Sequence, residues 1–150
     1  MDNLIDQIKE NCKIKCGNNE YIVKTKTWYS LEEDNTAKYI KCELSGNNVL
    51  VIIPDDNLIY VGKVIDNMNY NRVSDTTIEY QNKIFEQTGT GNQYILNIEF
   101  GNKNEVEGKC IFEDYQYNDE IISLGILPEK ENIRADVYAQ IIDLDDFKIE

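Results

Sequence analysis

The side chains able to do chemistry in this chain are few, and the first fact about them is an absence. The 150 residues contain no His. That removes the commonest general base, the usual Ser or Cys triads and most zinc sites. The four cysteines stand at 12, 16, 42 and 110 with no Cys-x-x-Cys pair. Cys12 and Cys16 could approach one another, but they alternate with Lys13 and Lys15 as core-facing strand residues do. In a chain without a secretory signal, all four are expected to be reduced thiols of a cytoplasmic protein.

Other motifs fall short of a site. Gly89-Thr90-Gly91 begins like a dinucleotide loop, yet Tyr94 stands where the third glycine belongs and a strand pattern follows. It is expected to be a hairpin turn. Asn67 to Asn71 and Asp143 to Asp146 offer oxygen ligands for calcium but lack the Gly and distal Glu of an EF-hand loop. No cofactor or metal is expected.

Carboxylates carry whatever acid–base chemistry is left. Glu113 and Asp114 lie in a strong β-hairpin, with Glu113 on the face of Tyr115, Ile122 and Leu124. Burial there would raise its pKa; a bulge at Glu113-Asp114 would turn it to solvent instead. A second cluster joins Trp28 and Tyr29 to Glu32, Glu33 and Asp34. It reads either as an aromatic anchor with an acidic rim for a partner, or as a buried Trp followed by a solvated loop.

The hairpin that holds Glu113 and Asp114 spans Lys109 to Leu127. Two runs rich in β-branched and aromatic residues flank Asn118 and Asp119, which tolerate the positive φ of a two-residue turn. The turn pairs Tyr115 with Ile122, Glu113 with Leu124 and Ile111 with Ile126. The opposite face carries Cys110, Phe112, Ile121 and Leu127, with Asp114 opposite Ser123. Both faces are partly apolar, so the pair belongs inside a sheet.

The rest of the chain follows the same grammar. A short N-terminal helix is expected over Asp2 to Asn11, with Leu4, Ile5 and Ile8 on one stripe. Strands follow at Cys12–Cys16, Tyr21–Trp28, Ala37–Leu44, Val49–Ile53 and Leu58–Ile65. Asp66 to Asp75 reads as a polar connector. Further strands fall at Thr77–Tyr80, Lys83–Gln87, Gln93–Phe100, Arg134–Ile142 and Phe147–Ile149. The fold class is mainly β: an antiparallel meander of about ten short strands, curved or closed into a barrel-like sandwich. At this length a single domain over 1–150 is expected.

Composition fits that fold and narrows the partners. Hydrophobic residues make up 41% and charged residues 29%, an ordinary globular balance. The net charge of −13 repels phosphate backbones, which argues against nucleic acid and in favour of a basic protein surface or simple solubility. No stretch reaches the roughly 20 apolar residues of a membrane helix, so no membrane insertion is expected.

The chain also echoes itself. With Lys38 set on Lys109, Ile40 falls on Ile111, Asn47 on Asn118 and Val51 on Ile122. Ile14 to Asn18 resembles Ile78 to Asn82. An internal repeat over 12–65 and 76–142 would give two β-rich halves about a pseudo-twofold axis.

These elements resemble a bacterial family of unknown function, DUF four-one-seven-eight, over Ile14 to Ile149. The resemblance rests on the strand Tyr21-Ile22-Val23, the strand Tyr39 to Leu44, the unit Ile78 to Phe85, and a hairpin with Asp114-Tyr115 closing on Ile122-Ser123-Leu124-Gly125. Tyr39 stands where the family pattern has Trp, and Gly125 where it has Glu. The resemblance implies strand packing and transfers no activity to any residue.

Three functions are consistent with the residues: a non-enzymatic domain that binds another protein through Trp28, Tyr29, Glu32, Glu33 and Asp34; an acidic immunity-type protein that neutralises a basic toxin; or a β-barrel with a Tyr-lined cavity for a small ligand.

Overall fold

The computed structural model describes residues 1–31, 38–101, 109–127 and 133–150. One helical turn, α1 (Asp2–Asp6), precedes the strands β1 (Lys13–Cys16), β2 (Asn19–Ile22), β3 (Lys26–Leu31), β4 (Lys38–Leu44), β5 (Asn48–Ile53), β6 (Leu58–Val64), β7 (Asn71–Ser74), β8 (Thr77–Tyr80), β9 (Lys83–Phe100), β10 (Lys109–Tyr117), β11 (Glu120–Leu127), β12 (Ile133–Arg134), β13 (Val137–Ile141) and β14 (Phe147–Ile149). The fold is mainly β and antiparallel, as the alternating pattern predicts.

Eight of these strands close on themselves. The ring runs β3-β4-β5-β6-β13-β11-β10-β9, and β9 returns to β3. It consists of two four-stranded meanders, β3 to β6 and β9, β10, β11 and β13, joined through the antiparallel pairs β6–β13 and β3–β9. Closure leaves the barrel wall without a free edge.

The wall is apolar on both sides, which explains the unbroken run Val49 to Ile53. Val49, Val51, Tyr60, Ile121, Val137 and Ala139 pack inside the barrel. Leu50, Ile52, Ile40, Cys42, Ile59 and Val61 face out, where α1 and the small sheet β14-β1-β2 cover them with Ile5, Ile8, Ile14 and Phe147. A second outer cluster holds Ile78 and Phe85 against Tyr115, Ile122 and Leu124 beneath the β7–β8 hairpin. Fully burying one such Ile or Leu contributes roughly 1.5–3 kcal/mol.

The central hairpin has the expected register, with Tyr115 on Ile122, Asp114 on Ser123 and a two-residue turn at Asn118 (φ 50°) and Asp119. Several expectations need correction. The strand expected over Tyr21–Trp28 is broken: β2 ends at Ile22 in the small sheet, and β3 begins at Lys26 in the barrel. Gly89 to Asn92 is not a turn: β9 runs through it for 18 residues, because β10 pairs with Glu86 to Tyr94 and holds the glycines extended. The helix stops at Asp6, although Ile8 is still buried. Part of the supposed connector, Asn71–Ser74, is strand, recruited by β8. The strand expected over Arg134–Ile142 is two pieces separated at Ala135-Asp136. The cysteines carry no disulfide; Cys16 and Cys42 are buried core residues, and Cys12 and Cys110 are half-buried.

Candidate functional site: the barrel interior

The inward positions of β9 and β10 set the site. Directly opposed residues of an antiparallel pair share a face. Phe112 and Asp114 therefore point inward with their partners Gly91 and Gly89. The two glycines place bare backbone where other strands place side chains, and a cavity of about 500 Å³ lies beside Gly89. A Cβ built on Gly89 would meet nothing nearer than Phe112 Cε2 at 3.9 Å.

Most of the wall is apolar, with Val51, Ile53, Leu58, Ile121 and Val137. The cavity reaches the barrel end that carries the Pro54–Asp56 turn, where Asp56 is both exposed and part of the lining. Val49, Val64 and Ala139 fill the interior at the other end.

Polar side chains interrupt the apolar wall, among them Thr88, Gln93 and Gln116, and one cluster centres on Asp114. Ser123 Oγ donates a 2.6 Å hydrogen bond to Asp114 Oδ1. Asp114 is half-buried and lines the cavity. Burial pushes its carboxyl up to about 6, against relief from the Ser123 hydrogen bond and the positive charge of Lys41. Tyr60 and Tyr39 line the same space; burial, reinforced by the Asp114 charge, pushes both phenols well above their ordinary value. Tyr39 stacks on Tyr29 with ring centroids 5.3 Å apart and planes at 13°. Thr27, opposite Lys41 on β3, is fully buried, and its Oγ1 has no hydrogen-bond partner among the described residues. This cluster can orient a guest by hydrogen bonding and charge while the surrounding wall holds its apolar part.

The suspected carboxylate was the neighbour of the one that matters. Glu113 does lie on the Tyr115 face, but that face is the outside of the barrel. There Glu113 accepts a 2.5 Å hydrogen bond from the Tyr115 hydroxyl and pairs with Arg72 at 3.3 Å, tying the β7–β8 hairpin to the wall. The register shift falls between Asp114 and Tyr115 on the β9 side and leaves the β11 pairing continuous.

The expected partner patch divides. Trp28 faces out, half-buried against the outer core, and its Nε1 donates to Glu99 Oε1 at 3.3 Å. Tyr29 is buried on the opposite face, inside the barrel. Glu32, Glu33 and Asp34 lie outside the described residues. Among the described residues no group of three or more Cys, Asp or Glu is placed to hold a metal ion, and no helix is long and apolar enough to cross a membrane.

The site thus belongs to the class of eight-stranded antiparallel barrels with an interior cavity. No family model, no curated protein and no solved structure matches the chain.

Proposed function

We propose that this protein binds one small, largely apolar molecule inside its barrel and leaves it chemically unchanged. The observation that carries the reading is the cavity of about 500 Å³ beside Gly89, lined largely by apolar side chains and with the Asp114–Ser123 pair on its wall. An eight-stranded barrel is wide enough to hold one small ligand, and binding cavities run from about 300 to 1,000 Å³. Glycine inside a strand is a recurrent sign of close approach by a ligand. A protein-docking role for the stretch from Trp28 to Asp34 has weaker support, because Trp28 and Tyr29 do not share a face.

The test is uptake of the neutral fluorescent probe N-phenylnaphthylamine by the wild type and by Gly89→Leu. The leucine projects into open space, so the variant should fold and melt as the wild type does while filling the cavity. Saturable binding of one probe per chain, lost in Gly89→Leu, is the expected result. Equal uptake by both proteins, or none by the wild type, would reject the reading.

A further inference from the structure

Resting on that ligand-binding reading, we infer that the guest is an organic cation: an amine with an apolar, ring-sized body, seated with its N–H groups on Asp114. Among the described residues this carboxylate accepts one hydrogen bond, from Ser123. An ionised carboxylate accepts at about four lone-pair sites, and a buried one that lacks donors is costly. Asp114 itself lines the cavity. A guest that brings N–H donors satisfies it; one that brings only acceptors does not.

The charges around the cavity favour the same sign. Asp114 and the rim residue Asp56 set two carboxylates against the single ammonium of Lys41 among the lining residues. The chain as a whole carries −13, a field that concentrates cations and repels anions. Lys41 opposes a cation and offsets part of the Asp114 charge. The Tyr39 and Tyr60 rings line that space, and aromatic faces attract cations.

Ionisation should report the contact. The groups that act on Asp114 are Lys41 on β4 and Ser123 on β11; Tyr39 on β4 and Tyr60 on β6 also sense its charge. Burial drives both phenols away from neutral pH, so Asp114 is the member of this cluster whose charge changes near pH 6.

Three matched compounds test the assignment by displacing bound N-phenylnaphthylamine: naphthylmethylamine, naphthalenemethanol and naphthoate. At about pH 8 the amine should compete at least about tenfold better than the alcohol, as a charge-assisted hydrogen bond predicts, with the naphthoate weakest. Asp114→Asn should erase the advantage of the amine over the alcohol. The wild type brought below about pH 5 should behave the same way, which decides the matter should the variant fold poorly. Alcohol or naphthoate matching the amine, or an amine advantage that survives both Asp114→Asn and acid, would overturn the cation assignment while cavity binding stands. Failure of the wild type to take up the probe at all would instead bring down the cavity reading itself.

Discussion

Ser123 and Asp114 face each other across the β10–β11 pair inside the barrel, joined by a 2.6 Å hydrogen bond. One hydrogen bond does not offset the desolvation of a carboxylate, so the site stores an unfavourable charge where a ligand can reach it.

That charge should be visible in stability. Burial raises Asp114 from 3.8 to about 6, so between those values the folded chain keeps a proton that the unfolded chain releases. Its contribution is therefore fully present below the unfolded value and is lost as pH rises through the folded one. Asp114→Asn should melt higher than the wild type above about pH 6, by up to about 3 kcal/mol, and the gap should close toward about pH 4. Melting curves of both proteins across that window check the sign; a gap that widens on acidification would be the wrong one.

Gly62 stands opposite Ala139 where β6 and β13 approach closely. A Cβ there would collide with the Tyr138 carbonyl and the Ala139 backbone. Gly62→Ala should cost at least about 1–3 kcal/mol in chemical denaturation, the range for overpacking. Gly89→Leu, the larger change, should cost less because it enters open space.

Lys26 holds the N-terminal turn to the barrel. Its buried Nζ donates to the carbonyls of Ile5 at 2.8 Å and Ile8 at 3.3 Å and pairs with Glu99 at 2.9 Å. Burial alone would raise Glu99, but hydrogen bonds from Lys26 and Trp28 and the charges of Lys26 and Lys9 outweigh it and hold the carboxyl below its ordinary range. Lys26→Met should destabilise the protein by about 1–3 kcal/mol, because it leaves the Ile5 and Ile8 carbonyls without their buried donor. It should also speed hydrogen exchange in residues 2–11 before the barrel strands respond.

Trp28 packs against the outer core and only its edge reaches solvent. Trp28→Ala should lower stability by about 2 kcal/mol, short of the about 3–5 kcal/mol for a fully buried aromatic. Uptake of N-phenylnaphthylamine should stay unchanged, because Trp28 lies on the other side of the wall from the cavity. A variant that melts normally would mean the ring contributes little to packing.

Local sequence determined a good deal of this protein. The alternation from Cys110 to Leu127, with Asn118 and Asp119 between the runs, specified a hairpin, its turn and its register, because a strand has a period of two and a one-residue slip would invert every side chain. It also placed Asp114 opposite Ser123 and Glu113 beside Tyr115. Which face was the interior could not be read, because both faces of the hairpin are partly apolar and both are covered: one by the barrel, the other by the β7–β8 hairpin. Gly89 and Gly91 were ambiguous for a related reason. Glycine permits a turn and an extended strand alike, and pairing with Phe112 and Asp114, more than twenty residues further on, selected the strand. Closure of β9 onto both β3 and β10 then turned the turn-like Gly89 and its partner Asp114 into the wall of a cavity, a long-range outcome that no local pattern encodes.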